Sequence, residues 1–187
     1  MAKTYPTIGP FTAGDILTAA TMTDVQTNLT NQRVPPMCRA VRSTNQSFAN
    51  GALAAVNFDA EDFDTDGMFA PTRNYIEAQT TGIYGIDASL QFQSNGVGQR
   101  AAVIIINPTF SGSGDSAVIT AGTRAAGSYT NAVGSGIQTS LSVSSTFSLA
   151  GGDTVALLAF QNAGGPLSFT TGVEQTALSL TWLGQVS

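Results

Sequence analysis

The stretch IYGIDASLQFQ, residues 83–93, alternates without a break: Tyr84, Ile86, Ala88, Leu90 and Phe92 are apolar, and Asp87, Ser89, Gln91 and Gln93 are polar. In an extended chain successive side chains point to opposite faces, so a period of two sends one row into a core and the other into water. The stretch therefore predicts a half-buried antiparallel strand. Residues 137–149 repeat the scheme, with Ile137, Leu141, Val143, Phe147 and Leu149 set against Gln138, Ser140, Ser142, Ser144 and Ser148. The chain closes on it again, with Leu178, Leu180 and Trp182 against Ser179 and Thr181. Clusters of turn-forming residues separate the runs, at Asn95-Gly96 and in 111–115, 134–136, 151–153 and 162–166. Roughly eight to ten strands fit between these punctuation marks, which makes the chain an all-β sandwich or barrel.

Two runs break the alternation. Val103-Ile104-Ile105-Ile106 and VALLAF (155–160) are apolar on both faces. A strand of that kind needs a second covering layer or a partner subunit, and no helical pattern outside the amino-terminal segment supplies the layer. A subunit interface is the expectation here, carried by Ile104, Ile106, Val155, Leu157, Leu158 and Phe160. Covering by loops or by the amino-terminal helix is the other reading.

Residues 1–36 differ in texture. Thr18 is placed to cap a helix over about residues 18–31, with Ala19, Met22, Val25 and Leu29 on one face. The stripe is too short to stand alone and must pack on its own domain, on sister chains or on a larger assembly. Pro35-Pro36 blocks its continuation and marks a boundary, so 37–187 reads as the β domain and 1–36 as an extension.

Composition narrows the function. Charged residues are 10% of the 187, well under the usual ~25%. The net charge is −5, and Lys3 is the single lysine among seven Lys and Arg residues, which are scattered. That argues against nucleic acid as a partner, because phosphate binding needs clustered cations. Histidine is absent, which removes Ser-His-Asp and Cys-His catalysis and histidine metal sites. The lone Cys38 is read as a small buried apolar residue. No secretory signal opens the chain and no apolar run approaches the ~18 residues of a membrane helix, so a soluble, cytoplasmically made protein without membrane insertion is expected. Five acids, Asp59, Glu61, Asp62, Asp64 and Asp66, crowd one short stretch. They form a local cluster rather than two carboxylates facing across a cleft, so no catalytic residue and no cofactor is assigned.

Those acids include D-x-D-x-D-G, residues 62–67, which matches the first half of a calcium loop. Position twelve of such a loop falls on Arg73, and Pro71 stands where an exit helix would begin, so an EF-hand is rejected. The expectation is an acidic Asp-Gly turn between strands at 54–58 and 74–78, pinned by Phe63 and Phe69. The alternative is a looser oxygen cage in which Asp62, Asp64 and Asp66 hold calcium.

The order of the motifs carries a resemblance. NQSFANG (45–51), VNFDAEDFDTDGMF (56–69), TGIYGIDASLQF (81–92), GQRAAVIIINP (98–108), SLAGGDTVALLAFQNAGGPL (148–167) and LSLTWLG (178–184) follow one another. This succession resembles the jelly-roll family of tumour necrosis factor and the globular heads of complement proteins. It resembles more closely the small single-domain minor virion proteins of tailed bacteriophages. PFTAGDILTAATMTDVQTNL (10–29) is similar to the helical lead-in of many phage tail and fibre proteins. The resemblance implies an antiparallel jelly-roll sandwich of about ten strands that forms a homotrimer and has no enzymatic role. It further implies a knob on the virion surface, assembled in the bacterial cytoplasm, decorating the capsid or tail. Attachment to the major capsid or tail proteins would run through Phe11, Ile16, Leu17, Met22, Val25 and Leu29. The rival expectation is an adhesin that binds a host-surface glycan or receptor through loops 111–115 and 130–136.

Overall fold

The computed structural model describes residues 2–71, 73–112, 115, 117–134, 136–169 and 176–186. Among these residues one helix precedes twelve strands: α1 (Ala19–Arg33), β1 (Met37–Val41), β2 (Ser47–Phe48), β3 (Leu53–Ala55), β4 (Ala60–Asp64), β5 (Ile76–Glu77), β6 (Gly82–Phe92), β7 (Gln99–Ser111), β8 (Val118–Asn131), β9 (Thr139–Leu149), β10 (Thr154–Gln161), β11 (Leu167–Ser168) and β12 (Ala177–Gly184). Thr18 accepts the Thr21 amide at the head of α1, and Pro35-Pro36 follows its end.

The strands form a jelly-roll sandwich. The first sheet runs β4-β1-β12-β6-β9, all antiparallel. In the second, β10 pairs with β7 on one side and with β3 and β5 in tandem on the other. β8 flanks β7 and pairs with β3 at Ala54 and Val118. The inward rows are those that the alternation marks: Tyr84, Ile86, Ala88, Leu90 and Phe92 from β6, Leu141, Val143 and Leu149 from β9, Leu178 and Leu180 from β12. Cys38 is in the same core, where burial and then the nearby Asp64 and Glu61 push its thiol well above its ordinary range. Phe48, Phe92 and Phe169 close one end as a ring cluster, with centroids 4.4 to 6.4 Å apart.

The two-sided strands are covered inside the chain. Ile104, Ile106, Val155 and Leu157 point into the main core. On the opposite face Val103, Ile105 and Leu158 gather with Ala55 and Ala117, and Leu53, Phe110 and Ile119 close over them. The cover is the far end of the β7–β8 hairpin, bent back over its own sheet. Asn107 makes the bend possible: it takes φ 50°, a left-handed conformation that Asn tolerates better than branched residues. Its side chain donates to Asp153 and accepts the Thr154 amide, both within 2.9 Å. Register breaks between Ile104 and Phe110 bend the strand further. The Ala55 amide bonds the Ala117 carbonyl at 3.2 Å, and Asp115 reaches Arg42 at 3.1 Å and Asn57 at 2.9 Å, which ties the hairpin down.

Candidate subunit interface

The six residues that the sequence assigns to a subunit contact need correction. Ile104, Ile106, Val155, Leu157 and Leu158 are 0–3% exposed in the single chain, and Phe160 is half-buried. Apolarity on both faces is satisfied within the chain by the folded-back hairpin, a layer that no local pattern reveals, so Ile104, Ile106, Val155, Leu157 and Leu158 are buried without a partner while Phe160 keeps some exposure.

The acidic stretch is resolved as well. Residues 60–64 are not a turn but the edge strand β4, whose charges face water. The turn proper begins at Asp64, whose Oδ1 accepts the amides of Asp66 (3.0 Å) and Gly67 (2.8 Å) while Oδ2 accepts that of Phe69 (2.9 Å). Gly67 has φ 71°, which fits the only residue without a Cβ. Asp62 points elsewhere and pairs with Arg39 at 3.3 Å. Asp66 is buried and accepts the Thr80 hydroxyl at 2.7 Å, and burial holds its carboxyl above the usual range. The three carboxylates therefore diverge, and among the described residues no group of three or more His, Cys, Asp or Glu is placed to hold a metal ion. Phe63 is exposed on the edge instead of pinning the loop, whereas Phe69 does pack on the core.

Phe11, Ile16, Leu17, Met22 and Leu29 are exposed, Val25 is half-buried, and α1 buries none of its residues. The β domain leaves this set uncovered. Of the 130–136 loop, residues 130–134 and 136 lie at the end of the sandwich away from α1, beside the 93–98 turn, and Ser135 is outside the described residues. The 111–115 turn lies over the second sheet, and Ser113 and Gly114 are outside the described residues.

What the sandwich leaves open is the outer face of the first sheet and one of its sides. Across that face the register sets Arg39, Ser179, Asp87 and Ser144 in one row and Met37, Thr181, Gly85 and Thr146 in the next. Arg39, Asp87, Ser89, Ser142, Ser144 and Ser179 line a shallow depression of about 410 Å³. Towards one end the exposed Ile83 and Leu183 make the face apolar. Among the described residues no helix lies over its central rows.

The two flanks of the sandwich contrast. On one, β4 carries Glu61 and Asp62, the kind of edge charge that keeps a strand from pairing with another chain. On the other, β8 and β9 run beside each other, and residues 118–149 contain a single charge, Arg124. Val118, Tyr129, Val133 and Ile137 are exposed along that flank. Bonds from Ala132 to the Gly98 carbonyl (2.8 Å) and from Gly136 to Ser94 (2.6 Å) bring Val97, also exposed, to the same end. A long edge with no proline, no lysine and exposed branched residues lacks the usual guards against pairing with another chain.

One residue that the sequence reading passed over organises this end. Arg100 is fully buried, and its guanidinium donates to the carbonyls of Val97 (3.0 Å), Gln99 (3.0 Å) and Asn95 (3.2 Å) above the ring of Phe92. It fixes the 93–99 turn, and burial lowers its pKa. The one signal was an arginine opening an otherwise apolar run.

No protein-family model and no characterised protein matches this sequence. Solved structures do match the fold. Eiger TNF from S. frugiperda superposes with a TM-score of 0.59 at 11% identity, over 81% of this chain and 94% of that one. Murine APRIL at pH 5.0 gives 0.54 at 14%, over 79% and 98%. The globular domain of zebrafish complement 1qA gives 0.52 at 10%, over 81% and 99%. The chain thus has the jelly roll of the TNF and complement-head proteins.

Proposed function

We propose that this chain is a non-enzymatic structural module that closes into a homotrimer and decorates a larger particle, attached through residues 1–36. The observation that carries the reading is the juxtaposition of an unguarded edge with an uncovered face. The β8–β9 flank and the outer face of the first sheet are different patches, so packing one on the other is head-to-tail, which gives a ring where the rotation closes. Three copies are the closure that the sequence resemblance to TNF and complement heads favours. The small side chains of the face, Ser89, Ser142, Ser179 and Gly85, admit close approach of a neighbouring backbone.

The particle is, on this reading, a tailed-phage virion, with the trimer on its capsid or tail; the ordered motifs and the lead-in at residues 10–29 support that. Phe11, Ile16, Leu17, Met22, Val25 and Leu29 then supply apolar surface for the shell or tail protein. Glycan recognition at the far end is less favoured: the exposed ring there, Tyr129, has the Arg124 guanidinium 5.0 Å from its centroid rather than a free face.

Sedimentation of the purified chain tests the trimer, with the mass of three chains expected. Ser142→Arg should give a folded monomer. A wild-type monomer at tens of micromolar would overturn the trimer, and a Ser142→Arg trimer would move the contact off this face. Electron microscopy of particles with antibody-labelled protein tests the location; label absent from particles would refute it.

A further inference from the structure

Residues 2–6 are held from two sides. On the helix side, Asn31 Nδ2 donates to the Thr4 carbonyl (2.6 Å), Asn28 Nδ2 to the Pro6 carbonyl (2.9 Å), and the Tyr5 hydroxyl to the Asn31 carbonyl (3.4 Å). The ammonium of Lys3 donates to the Val34 carbonyl at the helix end. On the sheet side, the Lys3 amide donates to Thr80 Oγ1 (2.9 Å), itself bonded to buried Asp66. The Tyr5 ring stacks on Trp182 with centroids 4.6 Å apart and planes 13° from parallel. Trp182 lies over Gly82, where any Cβ would collide with the indole, so the seat is built around the ring.

Two features make this more than a terminal tail. The contacts to Thr4, Pro6 and the Lys3 amide read the backbone of an extended segment, and the stack reads one aromatic side chain; together that is how a groove receives a peptide. And α1 buries none of its own residues, so its position depends on what lies between it and the sheet. Beyond the segment the groove continues for about 440 Å³ past Gln32, Leu183 and Gln185.

We propose that the groove between α1 and the end of β12 is a docking site for an extended, tyrosine-bearing segment, filled by the chain's own residues 2–6, and that this segment is a latch fixing α1 to the β domain. Displacing Tyr5 frees α1 and residues 7–18 to move as an arm while the sandwich stays folded. The inference does not depend on what the arm attaches to.

Trp182 is the only tryptophan, so its fluorescence reports the seat directly. In full-length Tyr5→Ala, acrylamide quenching of Trp182 should rise about threefold and exchange of the α1 amides about tenfold, with the β6 amides unchanged. Tyr5→Phe keeps the stack and should behave as wild type. A free peptide AKTYPT should restore protection to Trp182 in Tyr5→Ala, and AKTAPT should not. Unchanged α1 exchange in Tyr5→Ala would overturn the latch. Faster β6 exchange in the same variant would make Tyr5 part of the core and overturn it equally. Equal rescue by both peptides would overturn the tyrosine-reading seat.

Discussion

Leu158→Ala separates the two places this side chain could have been working. Leu158 is fully buried in the second cluster, with Val103, Ile105, Ala55 and Ala117 around it. Truncating a buried leucine removes its transfer energy and leaves a cavity, a combined cost of about 2–5 kcal/mol. The cost here belongs at the low end, because Phe110 and Ile119 are only partly buried and sit on a hairpin end that can settle into the space. A value of about 2–3 kcal/mol follows, and for a chain of this size it lowers the melting temperature by roughly 5–10 °C. The assay is thermal denaturation followed by circular dichroism, paired with sedimentation of the same sample. The expected result is a less stable protein of unchanged oligomeric mass. An unchanged melting temperature together with lost association would refute the reasoning and return Leu158 to a subunit contact.

Other perturbations follow from the same geometry. Asp64→Ala removes the acceptor of three amides and should cost about 1–2 kcal/mol, read as a melting shift of roughly 3–6 °C, whereas a chelator should leave the wild-type melt where it is. Burial raises the Asp59 carboxyl, but the amide and hydroxyl bonds from Ser43 and Thr44, with the Arg42 charge, outweigh it and hold the group below its ordinary range. A carboxyl depressed in the folded state adds stability above its unfolded pKa of about 3.9, and that stability is lost as pH falls through the folded value. Asp59→Asn should therefore flatten the acid limb of the stability profile, as read by melts from about pH 7 down to pH 2. Arg100→Ala should leave three carbonyls of the 93–99 turn without their donor and speed exchange of the amides in that turn, with the far end of β6 unaffected.

The parts of the fold that one strand decides alone were readable from the residues. β6 and β9 alternate because each has one face in the core, and no distant contact is needed to see that. The acids of residues 60–64 misled for a related reason: an edge strand facing water has no apolar row to display, so β4 looks like a turn. The cover over Val103, Ile105 and Leu158 comes from the same hairpin that contains two of them, turned back by one Asn in a left-handed conformation; nothing in the period of the pattern records a bend. The Tyr5–Trp182 stack joins residues at opposite ends of the chain, and the uncovered face is recognisable only once the register sets its serines side by side.

The bend at Asn107 also decides what the protein shows first when it loosens. The side chains with which the hairpin end covers its cluster, Phe110 and Ile119, are only partly buried, so it is a unit that can open while the main core holds. Opening it uncovers part of Val103-Ile104-Ile105-Ile106, an uncharged run of branched residues with the composition that stacks between chains. Heated or concentrated samples should thus be lost to aggregation below the temperature at which the sandwich melts, and the lifetime of the protein in storage becomes a question of how fast one hairpin lifts.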